Sequence, residues 1–190
     1  MLIRAKSLLQ SEIQRSPSEL GQIGDIFWDP CSWFARTAFV SFCSSEDETG
    51  RESFFVDLSS LSLLVHSEDA RVLRFLLPSD LRSGNDGDGG GHQSLASLNA
   101  LLGYSLFSST NGSISASIED LMIELDDWYI PFLVVRAKNY VPGEARIVNT
   151  DLIEGIDWGS RRLDFAMDEH EYGNCPVFES LLLDSEKTCK

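Results

Sequence analysis

The sequence is poor in basic residues: 15 lysines and arginines stand against 30 aspartates and glutamates, which gives a formal net charge of −15. A strongly acidic surface repels phosphate backbones, because nucleic-acid affinity comes largely from basic side chains that displace counterions. It repels anionic membrane leaflets for the same electrostatic reason. The composition therefore disfavours nucleic acid as a direct partner. It leaves open a basic protein partner, and equally an acidity that only keeps the protein in solution.

Long apolar runs and metal-binding spacings are also missing. No run approaches the roughly 20 apolar residues that a membrane helix needs, and Met1–Lys6 does not lead into the apolar stretch and cleavage site of a secretion signal. The cysteines and histidines show no C-x-x-C pair and no zinc-like spacing. They are Cys31, Cys43, Cys175, Cys189, His66, His92 and His170. We expect a cytoplasmic protein with reduced thiols, no membrane insertion, no metal and no cofactor, in which Cys31 and Cys43 are small core or turn residues.

Catalytic signatures are absent as well. The sequence contains no G-x-S-x-G, P-loop, G-x-G-x-x-G or H-E-x-x-H motif. Its densest titratable cluster, Asp168–Glu171, is typical of a solvated charged segment, because acid–base or metal chemistry would need further groups held at fixed geometry. We therefore assign no catalytic residue and predict that the chain is not an enzyme.

Glycine is concentrated in one place. Residues 79–93 include the run SGNDGDGGG at 83–91, which is typical of a flexible linker because glycine maximises backbone freedom and nothing apolar is present to bury. The Asp-Gly repeats lack the glutamate that a calcium loop carries at its twelfth position. The linker predicts two domains, at 1–78 and 94–180, followed by a C-terminal tail at 181–190.

The two predicted domains are related in sequence. Asp25–Phe34 can be laid over Asp120–Tyr129 without a gap, at a constant shift of 120 − 25 = 95. In each segment an aspartate opens an apolar strand, a polar turn follows, and a tryptophan precedes a second apolar strand. We interpret the match as a duplication with divergence.

The second copy reads as β structure. Ile118–Leu125 and Tyr129–Val135 are rich in β-branched and aromatic residues, and they flank Asp126-Asp127, which suits a hairpin turn. Residues 161–167 alternate Leu163, Phe165 and Met167 on one face with polar or small residues on the other, the pattern of a half-buried strand. Short strands at this density predict a mainly β protein made of small barrels, with few short helices.

These segments resemble the PRC-barrel family. The second copy is similar to the family pattern over five segments in order: 118–120 (IED), 125–128 (LDDW), 130–135 (IPFLVV), 139–143 (NYVPG) and 156–158 (IDW). The first copy resembles it through Glu19–Asp25 and Asp29–Trp33, and departs from it after Phe42. The resemblance implies two PRC-barrel-like β-barrels in tandem.

The resemblance also implies a function. The family includes the ribosome maturation factor RimM, whose barrel engages a ribosomal protein, and the photosynthetic reaction centre H subunit, so we expect a non-catalytic protein-binding or scaffolding module, similar to stand-alone bacterial members. The alternatives are a small-ligand or enzymatic cleft between the barrels, an accessory role to a reaction centre or to ribosome maturation, and a structural protein that forms homo-oligomers through strand edges.

Two sets of residues are singled out. The exposed aromatic-proline loop formed by Asn139, Tyr140, Val141, Pro142 and Gly143 is the candidate interaction loop, with a barrel lid as the equal alternative for Tyr140. Structural roles are expected where glycine would allow positive φ at a bend and where tryptophan would cap the open end of a small barrel. These residues are Gly21, Gly24, Asp25, Trp33, Asp120, Trp128 and Trp158.

Overall fold

In the computed structural model, most of the described residues lie in strands. The described residues are 1–17, 19–43, 51–66, 73–77, 95–110, 114–137 and 144–178. In them the chain is mainly β, as predicted, with three short helices. Contacts divide the chain into two compact units: unit 1 is Met1–Asn99 with Glu124–Tyr129, and unit 2 is Ala100–Ile123 with Ile130–Lys190. The predicted linker at 79–93 and the predicted tail at 181–190 lie outside the described residues.

Unit 1 contains eight strands, six of which are paired in one continuous path. Its strands are β1 (Leu2–Arg4), β2 (Glu12–Ser16), β3 (Glu19–Asp29), β4 (Phe34–Cys43), β5 (Arg51–Asp57), β6 (Ser62–His66), β7 (Leu73–Leu76) and β8 (Ala96–Ser97). Helix α1 is Ala5–Leu8, a 3-10 turn occupies Leu58–Ser60, and α2 (Leu98–Leu101) spans the boundary between the units in sequence. The sheet order is β5-β4-β3-β2-β7-β6, with β8 also paired to β3.

Unit 2 repeats this order. Its strands are β9 (Ser105–Ser108), β10 (Ser115–Glu124), β11 (Tyr129–Ala137), β12 (Arg146–Asn149), β13 (Ile153–Asp157) and β14 (Arg162–Phe165), and they are followed by helix α3 (Glu169–Asn174). The sheet order is β12-β11-β10-β9-β14-β13. The strands of each unit therefore follow one topology, and the duplication read from the sequence is visible in the fold.

Two local features repeat along with the strands. One parallel pair interrupts each antiparallel sheet, β2 with β7 in unit 1 and β9 with β14 in unit 2. A 3-10 turn follows β5 and β12, and in each case the preceding side chain caps it: Asp57 accepts from the Ser59 N–H, and Asn149 from the Asp151 N–H. The chemistry of the cap is the same, because both side chains present an oxygen to the same backbone donor.

The core of each unit comes from the inward faces of its strands. In β14 the side chains of Leu163 and Phe165, followed by Met167, are buried, which confirms the predicted alternation. In unit 1 the fully buried side chains include Ile13, Ile23, Ile26, Trp28, Val40, Val56 and Phe75. Among the described residues no pairing joins β5 to β6 or β12 to β13, so closure of either strand path into a barrel is not shown.

The glycines expected at positive φ have a different role. Gly103 is the glycine with positive φ in the described residues, whereas Gly21 and Gly24 have ordinary backbone angles. A Cβ on Gly21 would lie 2.6 Å from the Ser41 carbonyl oxygen and 2.8 Å from the Phe42 ring. The prediction of positive φ was therefore wrong, and close approach of β3 to β4 is what requires Gly21.

We expect Gly21→Ala to lower the free energy of unfolding by about 1–3 kcal/mol, as overpacking does when backbone must shift. Gly155→Ala is the matched control, because a Cβ there would meet no atom within 4 Å and the change should cost less than about 0.5 kcal/mol. Urea unfolding of both variants measures the difference. Equal stabilities would mean that β3 and β4 move apart at no cost.

Candidate docking face

The side of unit 1's sheet that points away from its core carries phenylalanines on three neighbouring strands. On β4, Phe39 lies opposite Asp25 of β3 and opposite Phe55 of β5. Phe27 lies two residues along β3 from Asp25, on the same side of the strand. The alternate residues of these strands point inward, so these three rings share the outer side. We call Phe27, Phe39 and Phe55 the aromatic face.

The Phe55 ring contacts the other two rings, and none of the three is fully buried. The Phe55 ring centroid lies 5.4 Å from that of Phe27 and 5.3 Å from that of Phe39. Phe55 is 60% exposed, while Phe27 and Phe39 are half-buried. Gly24 lies at a β-bulge beside Phe39, where a Cβ would approach the Phe39 ring to 3.3 Å. The absence of a side chain at Gly24 therefore leaves room for this ring.

Carboxylates border the aromatic face. Asp25 accepts hydrogen bonds from the backbone N–H groups of Ile26 and Asn99 and from the Ser97 hydroxyl. Asp57, opposite Thr37, accepts from the Ser59 N–H and hydroxyl. These hydrogen bonds hold each carboxylate in place beside the aromatic face.

A third carboxylate, Asp29, ends β3. Hydrogen bonds from the Ser32 hydroxyl and then from the Cys31 N–H lower the pKa of Asp29. Arg36 also lowers that pKa, and its guanidinium lies 5.1 Å from the Phe34 ring centroid. Cys31 was predicted to be a core or a turn residue, and it is an exposed turn residue. This end of the strand therefore carries a fixed negative charge, partly balanced by Arg36.

Unit 2 has the same face, built from different residues. The shift of 95 places Phe27 at Met122 (27 + 95) and Phe39 at Val134 (39 + 95). Ile147 lies opposite Val134 in the way that Phe55 lies opposite Phe39. Met122, Val134 and Ile147 are 7%, 2% and 7% exposed, so the counterpart of the aromatic face is buried.

The chain that follows α3 buries this counterpart. Phe178, itself 8% exposed, forms one apolar cluster with Met122, Val134, Ala145 and Ile147, and Phe132 packs against it. The segment also extends the sheet: the Ile147 N–H donates to the Pro176 carbonyl at 3.0 Å, and the Phe178 N–H donates to the Ala145 carbonyl at 2.8 Å. An isolated antiparallel bridge joins Arg146 to Val177.

Arg146 and a helix cap fix the chain that leads into the covering segment. The Arg146 guanidinium donates to the carbonyls of Gly173 and Cys175, both at 2.7 Å. Helix α3 starts with a capping box in which Asp168 and Glu171 each accept from the other's backbone N–H. The charged cluster at 168–171 therefore begins a helix, which is a structural role.

Some of the sequence-predicted site residues fall in the described ranges and others do not. The candidate interaction loop, Asn139–Gly143, lies outside the described residues. Trp33 and Trp128 occupy equivalent turn positions at φ 59° and 62°; Trp33 stacks on Trp28, and Trp128 is 8% exposed against Phe75. Asp120 is 1% exposed and accepts from the Leu121 N–H, as Asp25 accepts from the Ile26 N–H.

Trp158 is placed differently from the other tryptophans. It is 45% exposed, and its ring meets Tyr104 edge to face at 6.1 Å. It lies in the turn between β13 and β14, where Asp157 accepts from the Ser160 hydroxyl and from the N–H groups of Ser160 and Gly159. These bonds, the Ser160 hydroxyl first, lower the pKa of Asp157. The turn is thus held by its own carboxylate, with Trp158 on its outside.

One shallow groove of about 440 Å³ lies on unit 2, between β9, β14 and β13. Its charged lining is largely self-satisfied: Arg162 pairs with Asp164 at 2.9 Å and lies 5.3 Å from the Phe107 ring centroid. Over the described ranges, no group of three or more His, Cys, Asp or Glu side chains could hold a metal ion. None of the helices described has the length and hydropathy of a membrane-spanning segment.

The aromatic face was not among the residues singled out from the sequence. A signal for it was present, because the shift of 95 aligns Phe27 and Phe39 with aliphatic residues of the second copy. The alignment does not show that Phe178 covers the equivalent face of unit 2. Comparison of the sequence with protein-family models finds no match, and comparison with curated proteins finds none either.

Proposed function

We propose that the chain is a non-catalytic protein-binding module of PRC-barrel type and that its partner docks on the aromatic face of unit 1. The observation that carries the proposal is the contrast between the two copies. One fold presents the same apolar face twice, and unit 2 covers its face with Phe178 whereas Phe55 is 60% exposed in unit 1.

The energetics of burial favour an occupant. Removing a phenylalanine side chain from water contributes about 1.5–3 kcal/mol, so an exposed three-ring patch forgoes part of this stabilisation. Contiguous apolar patches on a protein surface commonly mark interaction sites, and aromatic residues are enriched at the centres of interfaces. A rigid sheet with its rings already in contact also lowers the entropic cost of binding.

The barrel assignment belongs to the same proposal. It is supported by the order of the resembling segments and by the six-stranded topology that both units share. The family's adaptor roles are consistent with a site that offers apolar contact and fixed carboxylates.

The test is crosslinking of the full-length chain in native lysate, with quantitative identification of bound proteins, for the wild type and for Phe55→Ser. We expect at least one partner to be recovered about tenfold less with the variant, since loss of one buried phenylalanine corresponds to about 1.5–3 kcal/mol. Separating ribosomal, membrane and remaining pools beforehand identifies the setting in which the partner acts.

Leu20→Ser is the matched control, because Leu20 lies on β3 and is 44% exposed but lies outside the aromatic face. A partner that is lost with Phe55→Ser and retained with Leu20→Ser supports the proposal. Partners that survive both changes, or that are lost equally with both, contradict it.

A further inference from the structure

We propose, on the basis of the proposed function, that the partner supplies an extended segment which adds to the outer edge of β5 and places an aromatic side chain on the aromatic face. Residues 176–178 of unit 2 provide the template, because they make this arrangement on β12 within the chain itself.

The backbone positions follow from the shared register. Asp57 and Asn149 cap equivalent turns, which sets a shift of 149 − 57 = 92 for these strands. Ile147 and Ala145, which bond to the covering segment, therefore correspond to Phe55 (147 − 92) and Ser53 (145 − 92). In an antiparallel strand, residues two apart turn their N–H and C=O groups to the same edge. The Phe55 N–H and the Ser53 carbonyl are thus the donor and acceptor for an added strand.

The edge of β5 is available for such a strand. In the part of the chain that the structure describes, β5 pairs with β4 and with no other strand. An added strand would leave Phe27, Phe39 and Phe55 on the side where Phe178 packs in unit 2. Aromatic rings prefer edge-to-face or offset contacts with other rings, so three phenylalanines in place of Met122, Val134 and Ile147 favour an aromatic anchor in the partner.

The chain's own sequence favours an external source for this segment. The covering segment of unit 2 follows β14, and residues 78–95 follow β7 in the same order. Those residues contain no phenylalanine, tyrosine or tryptophan. The segment that follows β7 therefore has no aromatic residue to correspond to Phe178. The occupant must bring its own anchor.

Charge narrows the class of partner further. Asp25 and Asp57 border the aromatic face, and the chain carries a net charge of −15. Opposite charge on a partner speeds encounter and disfavours acidic competitors. The partner segment is therefore an extended stretch with an aromatic residue flanked by lysine or arginine, and its binding should weaken as salt rises.

The probe is the blocked peptide Lys-Pro-Val-Phe-Lys, which repeats Pro176–Phe178 with basic flanks. It is titrated into the ¹⁵N-labelled full-length chain and followed by amide chemical shifts. We expect saturable shifts at Phe55 and Ser53 and none in the Phe55→Ser variant. N-methylation of the peptide's phenylalanine removes the hydrogen bond equivalent to Phe178 N–H to Ala145, and should weaken binding roughly fivefold, since one such bond contributes about 0.5–1.5 kcal/mol.

The matched control is N-methylation of the peptide's valine, whose N–H points away from the sheet in the template pairing; it should change affinity less than twofold. Equal effects of the two methylations, or shifts confined to other residues, would overturn strand addition while leaving the Phe55-dependent partner of the lysate experiment intact. A wild-type dimer that Phe55→Ser converts to a monomer in sedimentation would make a second copy the occupant and would also overturn the inference. Peptide binding as expected, without any Phe55-dependent partner in lysate, would support the binding mode and count against the proposed function.

Discussion

Replacing Trp128 by alanine is expected to lower the free energy of unfolding by about 3–5 kcal/mol, the range for large-to-small changes at buried aromatic positions. Trp128 is 8% exposed, and its ring lies against Phe75 with centroids 6.0 Å apart. Its carbonyl accepts a hydrogen bond from the Ala35 N–H at 2.8 Å. Alanine at this position keeps the backbone hydrogen bond but loses the ring packing. The decrease in the free energy of unfolding therefore measures the contribution of the ring.

Trp33→Ala is the matched control, because Trp33 occupies the equivalent turn position with nearly the same φ but is only half-buried. Its ring stacks on Trp28 at 4.5 Å, and we expect a loss of about 1–2 kcal/mol. Urea unfolding followed by circular dichroism compares the two variants. A loss below about 0.5 kcal/mol for Trp128→Ala would mean that the ring does not stabilise the fold and would make Trp128 a candidate contact residue.

The hairpins could be predicted from the sequence because their turns are chemically explicit. Asp126 and Asp127 separate two runs of β-branched and aromatic residues, and the structure has β10 ending at Glu124 and β11 beginning at Tyr129. The conformation at the turn's end could not be predicted from composition. Tryptophan rarely adopts positive φ, yet both Trp33 and Trp128 do so, because each closes a turn whose ends are fixed by long paired strands.

The aromatic face escaped prediction for a different physical reason. Strand periodicity separates two faces, but it does not say which one is covered. In β3 the run Ile26-Phe27-Trp28 is apolar on both sides, a pattern typical of a strand buried on both faces. Only the pairing of Phe39 with Phe55 brings the outward rings of three strands together.

The contrast between the two copies predicts opposite responses at equivalent faces. Phe178→Ala is expected to lower the free energy of unfolding by about 3 kcal/mol or more, because Phe178 is 8% exposed within the cluster that contains Met122, Val134 and Ile147. Phe55→Ala removes the same side chain from a residue that is 60% exposed, and should cost less than about 1 kcal/mol. Urea unfolding of both variants gives the comparison.

Hydrogen exchange distinguishes local opening of the covering segment from destabilisation of the whole of unit 2. In Phe178→Ala the Ile147 amide, which donates to the Pro176 carbonyl, should exchange faster than the amides of the inner strand β10, because the covering segment opens locally. Uniform acceleration across unit 2 would instead mean that Phe178 supports the whole unit. A loss for Phe55→Ala as large as that for Phe178→Ala would show that the aromatic face is already covered in unit 1 and would remove the basis for docking there. The expected outcome leaves one fold with two equivalent faces: one is stabilised by the chain itself, and the other is free for a partner to bind.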